Sequence, residues 1–393
     1  MNARRVLLEL FEAALRAVDG RSCVARALSE QPLSPPVALF AVGKAASSMT
    51  LGALDAFGGH VESALVITKD GHADLALARD YGCTIIESAH PLPDARSLAA
   101  GEALLTRLRA LDPRVLPVFL VSGGASSLVE SLRDGFGLED LRALNERGLA
   151  AGWNIHRLNT ERAKLSLLKG GGMARLIGGR RALALLISDV PGDDVGVIGS
   201  GLAGRDAGRE DAMERHIVAN ADVAAQAVVD AARARGLDIE RRESRFEGEA
   251  GEVACQFVEA VRATHVDGVV WAGESTVTLS GQVGRGGRNT HVALTAASRL
   301  RAGEKRMILA AGTDGTDGPT EDAGAIVDDG TVERAEIGGV DVERALYGYD
   351  SGTALEASGD LVHTGPTGTN VGDLLIGLRA SAPPASRGLS GSR

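Results

Sequence analysis

A short apolar run followed by a glycine- or serine-rich loop recurs along this chain of 393 residues. A segment with helical spacing of its apolar residues follows each loop, an order typical of an α/β domain with a parallel sheet. The predicted strands are 37–42, 64–68, 84–87, 118–121, 183–187, 269–272 and 307–311. Ligands bind beyond the carboxyl ends of such strands, so we expect the functional residues in the loops that follow them.

The length of the chain favours two domains with a ligand-binding cleft between them. The charged stretch 236–251 has few apolar residues and is predicted to connect them. We therefore predict an N-terminal α/β domain over 1–240 and a C-terminal domain over 250–380. Residues 381–393 lack apolar periodicity, which predicts a disordered tail.

Composition excludes several classes of partner. A net charge of -10 and an aromatic content of only 3% argue against nucleic-acid binding, which needs a basic face and stacking surfaces. No apolar stretch approaches the length of a membrane span, so we expect no membrane partner. The three cysteines are far apart and without zinc-like spacing, which predicts buried thiols in a reducing compartment and a cytoplasmic location.

The first loop with chemical character contains Gly43 and Lys44. It is not a Walker P-loop, because Ala38 replaces the first glycine and Ala45 replaces the Ser or Thr that would contact magnesium. A lysine at the start of a helix can still bind phosphate or carboxylate, since the helix N-terminus and the ammonium both favour an anion. The alternative, that the stem of Lys44 only covers the sheet edge, is equally consistent with the spacing.

Two further loops in the N-terminal half offer donors and carboxylates. The turn 122–127 contains Ser122, Gly123, Gly124 and Ser126, whose N–H and hydroxyl groups could bind a carboxylate or phosphate, or could form a tight turn capped by Ser126. The loop 188–194 contains Asp189, Asp193 and Asp194. Phosphoryl transfer needs carboxylates to hold magnesium and to accept a hydroxyl proton. Asp189, at the end of its strand, is the best candidate, and Asp194 is expected in a solvated turn.

The C-terminal half contributes a basic loop and an acidic loop. In 284–289, an arginine fork could bind phosphate oxygens, or the segment could be a hairpin turn with two solvated arginines. In 312–319, Asp-Gly occurs twice after a strand, which suggests a metal loop without the spacing of an EF-hand. Asp-Gly also forms ordinary turns, so one aspartate could be purely structural. Asp314, nearest the strand, is the favoured ligand.

Taken in order, these loops resemble the type II glycerate kinases, whose C-terminal portion is the MOFRL family. The segments that carry the resemblance are 42–45 (Val-Gly-Lys-Ala), 89–94 (Ala-His-Pro-Leu-Pro-Asp), 122–124, 188–194, 286–289 (Gly-Gly-Arg-Asn), 312–315, 317–320 and 364–370 (Thr-Gly-Pro-Thr-Gly-Thr-Asn). The resemblance covers nearly the whole chain. It implies a two-domain α/β fold, with a Rossmann-like parallel sheet in the N-terminal domain, a smaller mixed α/β MOFRL domain, and the active site in the cleft.

The resemblance also implies the reaction, which is transfer of the ATP γ-phosphoryl group to the 2-hydroxyl of D-glycerate with Mg²⁺. Its implied partners are D-glycerate and ATP, and it leaves a homodimer open. At matching positions it implies that Lys44, Asp189, Arg288 and Asp314 are catalytic. With the loops described above, we further predict phosphate or substrate binding by Ser122, Gly123, Gly124, Ser126, Asn289 and Asp317, and metal binding by Asp189, Asp193 and Asp314. We expect Lys44 and Arg288 to neutralise the transferring group while one aspartate takes the proton.

Three departures from the family pattern and two other functions complete the prediction. Gly201-Leu202-Ala203 stands where the family usually shows Gly-Pro-Thr. Ala163 and Gly172 stand where the family usually shows basic residues, and Lys164 could compensate for the first. An NAD(P)H-dependent hydroxypyruvate reductase is the alternative enzyme, but the only dinucleotide fingerprint, 199–204, follows a short run and lacks a convincing ribose acid. A non-catalytic sugar-acid binding protein is a third hypothesis, against which the retained charged residues argue.

Overall fold

The computed structural model describes residues 2–29, 36–151, 153, 155–206, 212–279 and 283–379. The predicted tail, 381–393, lies outside the described residues. The helices are α1 (Ala3–Ala17), α2 (Gly20–Ser29), α3 (Ala46–Phe57), α4 (Ala76–Tyr81), α5 (Ala95–Ala110), α6 (Ala125–Leu128), α7 (Leu138–Ala150), α8 (Ile155–Leu165), α9 (Gly172–Ile177), α10 (Ala221–Ala234), α11 (Ala250–Ala263), α12 (Arg288–Arg299), α13 (Thr331–Ile337), α14 (Val342–Tyr347) and α15 (Ser351–Ser358). Among the described helices, none is long and apolar enough to cross a membrane.

The strands form two sheets of six. They are β1 (Val37–Val42), β2 (Val61–Lys69), β3 (Thr84–Ser88), β4 (Leu116–Val121), β5 (Ala182–Ile187), β6 (Met213–Ala219), β7 (Ile239–Arg241), β8 (Gly268–Gly273), β9 (Arg306–Gly312), β10 (Gly324–Asp328), β11 (Leu361–Val362) and β12 (Asp373–Arg379). All seven strands predicted from the sequence are present, the first with its predicted limits. The charged stretch 236–251, expected as a connection only, also contains β7, because Ile239 is buried and pairs with β8.

The chain divides into two compact units. The parallel-sheet unit comprises 15–224 and 366–372, and the mixed-sheet unit comprises 1–14, 225–365 and, at the end of the described chain, 373–379. This division differs from the predicted limits, 1–240 and 250–380, since 1–14 and 225–240 are grouped with the second sheet. Ion pairs within the mixed-sheet unit give a reason: Glu9 lies 3.1 Å from Arg235, and Arg4 lies 3.1 Å from Asp360.

In the parallel-sheet unit the strand order is β3-β2-β1-β4-β5-β6, and every pairing is parallel. This is the Rossmann order, so the Rossmann-like prediction is confirmed. Strands β1 and β5 are buried along their whole length, as expected where helices cover both faces of a sheet. The strand order reverses between β1 and β4, where Val42 lies opposite Val121. The loops after these two strands therefore lie at the switch point at which such sheets bind ligands.

The mixed-sheet unit has the strand order β11-β10-β9-β12-β8-β7. β12 is antiparallel to both of its neighbours, and its first residue, Asp373, lies opposite Gly273 of β8 and Gly312 of β9. β12 therefore begins at the sheet edge where β8 and β9 end. Trp271 anchors the core below this edge, 5.3 Å from the ring of Phe246. The predicted mixed α/β domain is confirmed.

Candidate active site

At the switch point of the parallel sheet, the loops after β1 and β4 are joined through their backbones. The Lys44 N–H donates to the Gly123 carbonyl at 3.0 Å, and the Ala45 N–H donates to the Ser122 hydroxyl at 3.1 Å. Gly43 has a φ of +133°, and a Cβ there would lie 2.1 Å from Ser122 Oγ, so only glycine fits. The structure thus brings together the predicted residues Lys44, Ser122 and Gly123. The Ser122 hydroxyl accepts a backbone hydrogen bond and fixes the loop.

The loop after β5 brings Asp189 to the same place. A Cβ on Gly123 would lie 2.0 Å from Asp189 Oδ2 and 1.9 Å from Asn370 Nδ2. Asn370 Nδ2 donates to Asp189 Oδ2 at 2.9 Å. Because Gly123 has no side chain, its backbone touches a carboxylate that Asn370 holds in one orientation. Lys44, Gly123 and Asp189 therefore form one cluster at the carboxyl ends of β1, β4 and β5.

Three other predicted residues belong to the loops after β4 and β5. Gly124 is next to Lys44, since a Cβ there would lie 3.3 Å from Lys44 Cγ. Ser126 Oγ lies 2.8 Å from Ser200 Oγ, so its hydroxyl already has a protein partner. Asp193 sits in a 3-10 turn with a φ of +54°, and its Oδ2 accepts from Asn220 Nδ2 at 2.6 Å.

In the mixed-sheet unit, Arg288 is the first residue of α12 and is held by a carboxylate that the sequence prediction missed. Its Nε and Nη2 lie 2.6 and 2.9 Å from the two oxygens of Asp373, and Nη2 lies 3.2 Å from Glu274. Burial alone would lower the pKa of Arg288, but Asp373 and Glu274 raise that pKa well above its usual range. Among the described residues, Nη1 has no acceptor. Arg288 therefore keeps one donor edge for a ligand. The hairpin alternative for 284–289 is wrong, because α12 begins there.

Asp317, a predicted phosphate-binding residue, caps this helix instead. It is 1% exposed, and its two oxygens accept the N–H groups of Asn289 and Thr290 at 2.9 and 2.7 Å. Burial raises the pKa of Asp317 despite these bonds. Asn289 is equally buried and donates through Nδ2 to Asp373 at 3.0 Å. Its Oδ1 has no hydrogen-bond partner in the part of the chain that is described.

Asp314 lies beside this group at the end of β9. It is 5% exposed, and its Oδ1 accepts the Thr316 N–H at 3.0 Å. A Cβ on Gly312 would lie 3.3 Å from Asp314 Oδ1 and 3.5 Å from Asn289 Nδ2, so Gly312 separates the two side chains. The other arginine of the basic loop, Arg285, pairs with Asp322 at 3.0 Å and with Glu356 at 2.8 Å. These pairs give Arg285 a structural role.

Comparisons with known proteins identify the family of this chain. A domain of unknown function, DUF4147, matches residues 6–234, and the MOFRL family matches residues 268–373. D-glycerate 2-kinase from Thermotoga maritima is 33% identical, with 95% of this chain and 98% of that protein aligned. Glycerate 2-kinase from Pyrococcus horikoshii is 31% identical over 97% of this chain and 98% of its own.

This chain belongs to the glycerate 2-kinase family. The crystal structure of glycerate kinase from Thermotoga maritima has a TM-score of 0.84 at 32% sequence identity, with 96% of this chain and 99% of that one covered. The resemblance read from the motifs and the prediction of a kinase are confirmed. A relative from Agrobacterium vitis, 35% identical over 95% of this chain and 94% of its own, carries a provisional hydroxypyruvate reductase name.

A nicotinamide-dependent reductase would need a dinucleotide-binding fingerprint between a strand and a helix. The matching segment of this kinase, 199–204, does not lie in such a place. Gly199 lies within a 3-10 turn, Ile198–Ser200, instead of between a strand and a helix. Its φ is +57°, and Ser200 also has a positive φ of +58°. A dinucleotide fingerprint binds pyrophosphate only where a strand leads into a helix N-terminus. The segment 199–204 is therefore a local turn in this kinase.

The departures from the family pattern also have a structural account. A Cβ on Gly170 would lie 2.5 Å from the Ala163 Cβ, so Ala163 packs closely against a position that only glycine fits. A Cβ on Gly172 would lie 2.1 Å from the Leu167 carbonyl oxygen. Lys164 is 61% exposed and pairs with Glu161 at 2.6 Å, which does not support the expected compensation.

A buried ion pair that the sequence prediction missed lies beneath the turn 122–128. Lys169 and Glu130 are 1% and 0% exposed and lie 2.7 Å apart. Glu130 also accepts from Ser166 Oγ at 2.5 Å and from the Ser131 N–H at 2.9 Å, and Lys169 donates to the Ser126 carbonyl. Burial lowers the pKa of Lys169, and Glu130 opposes that shift. The pair fixes the backbone that carries Ser126.

Proposed function

We propose that this kinase transfers the γ-phosphoryl group of MgATP to the 2-hydroxyl of D-glycerate, giving 2-phospho-D-glycerate and ADP. The observation that carries the proposal is the cluster of Lys44, Gly123 and Asp189 at the switch point of the parallel sheet. The cluster places a lysine, a glycine backbone and a carboxylate at the edge where α/β sheets bind ligands. The names of the Thermotoga and Pyrococcus relatives support the choice of glycerate.

In the proposed reaction, the 2-hydroxyl oxygen attacks the γ-phosphorus and the bond to the bridging oxygen of ADP breaks. Asp189 takes the hydroxyl proton, and its bond from Asn370 keeps the carboxylate in position to do so. Lys44 neutralises charge on the transferring oxygens. A cavity of about 470 Å³ beside Lys44, lined also by Arg21, Ser47 and Ser48, has room for the phosphates of a nucleotide.

We assign the residues of the mixed-sheet unit to the same reaction. Arg288, oriented by Asp373, offers its Nη1 edge to a phosphate oxygen. Pairing with two carboxylates fixes the guanidinium before substrate binds, so little reorganisation is needed. Asp314 and Asn289 lie on either side of Gly312 at the same edge of the sheet.

Magnesium enters this proposal as part of the nucleotide substrate. Among the residues described, no group of three or more His, Cys, Asp or Glu side chains is arranged to hold a metal ion. That finding fits MgATP, because Mg²⁺ in such enzymes is usually held by one or two carboxylates together with phosphate oxygens. With Asp189 acting as the base, Asp314 and Asp193 are the carboxylates that we propose for magnesium, and Asp189 is the alternative ligand if Asp314 takes the proton. Of these, Asp193 is the weakest candidate, because Asn220 already binds one of its oxygens.

The test is phosphorus NMR of the purified protein with MgATP and D-glycerate, with hydroxypyruvate and NADH in a parallel sample. We expect the resonance of 2-phosphoglycerate and no loss of NADH. A 3-phosphoglycerate resonance would keep the kinase but overturn the proposed acceptor position. Loss of NADH without any phosphoester would establish the reductase instead.

A further inference from the structure

We propose that Arg162 and Asn145, in a small cavity beside the Lys44 cluster, bind the carboxylate of the hydroxy-acid substrate. The inference rests on the proposed function and assigns the acceptor subsite within the parallel-sheet unit. The cavity has a volume of about 210 Å³, and its polar lining consists mainly of His90, Ser126, Asn145, Arg162 and Lys169. A nucleotide needs a larger site, since pockets for drug-sized ligands usually exceed about 300 Å³. The size therefore suits an acid of a few carbon atoms.

The charge of the cavity favours an anion. It contains two cationic side chains, but the Lys169 charge is already matched by Glu130 at 2.7 Å. Arg162 has no carboxylate within ion-pair distance among the described residues. Its Nε donates to Asn145 Oδ1 at 2.9 Å, and no described residue accepts from its two terminal nitrogens. A half-buried guanidinium with an open fork matches a carboxylate, which accepts two parallel hydrogen bonds.

Burial disfavours the charged form of Arg162, and a bound anion would favour it. Removal from water lowers the pKa of its guanidinium, and the nearby Glu130 only partly offsets that effect. A substrate carboxylate would supply the counter-charge that the protein leaves out. Asn145, which is 4% exposed, holds the guanidinium by one edge and so presents the other edge to the ligand.

The position of the cavity suits the reaction. Gly124 lines it together with His90, and a Cβ on Gly124 would lie 3.3 Å from Lys44 Cγ and 3.3 Å from His90 Cδ2. Only the glycine backbone therefore separates the cavity from Lys44. Lys44 also lines the wider cavity assigned above to the nucleotide phosphates. An acid held by Arg162 would have its hydroxyl directed past Gly124 to Lys44, which lines the wider cavity.

Steady-state kinetics of Arg162→Gln and Asn145→Asp test the assignment. Arg162→Gln should raise the KM for D-glycerate on the order of 10- to 100-fold, with the KM for MgATP unchanged, because a charge-assisted pair is lost. Asn145→Asp should also raise the KM for D-glycerate, since the new carboxylate would neutralise the charge that attracts the substrate carboxylate. Lys164→Gln, on the same helix but exposed, removes the same charge and should change neither KM.

A second substrate separates binding from a merely structural role. D-Glyceramide lacks the carboxylate charge, so the ratio of kcat/KM between wild type and Arg162→Gln should fall towards one with this compound. An equal loss on both substrates, a raised KM for MgATP or an unchanged KM for D-glycerate would each overturn the assignment. If wild type does not phosphorylate D-glycerate, the proposed function fails, and calorimetric titration decides the subsite separately. Binding of D-glycerate that Arg162→Gln abolishes would support the subsite, and no binding to wild type would refute it.

Discussion

Replacement of Glu130 by glutamine would leave the Lys169 ammonium buried without a counter-charge. Both side chains are at most 1% exposed, and removal of one partner from such a pair costs about 3–5 kcal/mol of unfolding free energy. Loss of the Lys169 proton is the only way to avoid burying an unpaired charge. At pH 7 deprotonation costs about 4.6 kcal/mol, since the ordinary lysine pKa is about 10.4 and each pH unit corresponds to about 1.36 kcal/mol. We therefore expect Glu130→Gln to destabilise the parallel-sheet unit by up to about 4.6 kcal/mol.

The pH dependence of this loss distinguishes the mechanism from simple loss of packing. If Lys169 is neutral in the folded variant, the unfolded chain binds one more proton than the folded chain below the ordinary lysine pKa. The stability of Glu130→Gln relative to wild type should then rise by about 1.4 kcal/mol per pH unit between about pH 7 and pH 9. Lys169→Met combined with Glu130→Leu should recover most of the stability, because a buried pair can often be replaced by apolar side chains.

Urea unfolding followed by tryptophan fluorescence measures these values. The chain has two tryptophans, Trp153 in the parallel-sheet unit and Trp271 in the other, so a Trp271→Phe background reports on the relevant unit. Glu161→Gln is the matched control, since its lysine partner is 61% exposed and solvent screens the pair. A loss in Glu130→Gln that is as small as in the control, or that does not change with pH, would refute the reasoning.

Three other predictions concern the candidate site and the core. Asp373→Asn removes the charge that orients Arg288 and should lower kcat about 100-fold at saturating MgATP; an unchanged kcat would contradict the orienting role. Gly123→Ala forces a Cβ against Asp189 and Asn370 and should abolish most turnover in the same assay, whereas Gly179→Ala, with open space around its Cβ, should leave it intact. Burial lowers the pKa of His291, and Glu249 only partly opposes this, so the unfolded chain binds more protons below about pH 6.5 and stability should fall there. In urea titrations of the mixed-sheet unit, His291→Phe should remove that fall, and an unaltered slope would contradict it.

Much of the fold was accessible from the sequence because a buried parallel strand is a continuous apolar run. The strand 37–42 and the loop at Lys44 are examples, since their signals are local. The partners of these loops are not local: Asn370 is 181 residues from Asp189, and Asp373 is 85 residues from Arg288. An acidic first residue in the apolar strand β12 was the only signal for Asp373.

The cavity proposed to bind the hydroxy acid also depends on residues that are distant along the chain. Lys169 and Glu130 are 39 residues apart, and the sequence does not reveal that they meet beneath the turn 122–128. Asp317 illustrates the opposite error. It lies in a motif with the character of a metal loop, yet its oxygens are used by the backbone of α12, 27 and 28 residues earlier in the chain. Charge and motif identify candidate groups, but only the fold decides which of them remain open to a ligand.

The place of β12 in the second sheet has a consequence for biosynthesis. The strand lies between β8 and β9, yet both are made before it. Until β12 leaves the ribosome, β8 and β9 each present an unpaired edge, and unpaired edges favour association with other chains. The same late strand carries Asp373, the carboxylate that orients Arg288. A nascent chain therefore acquires a complete second sheet and an oriented Arg288 in a single late step.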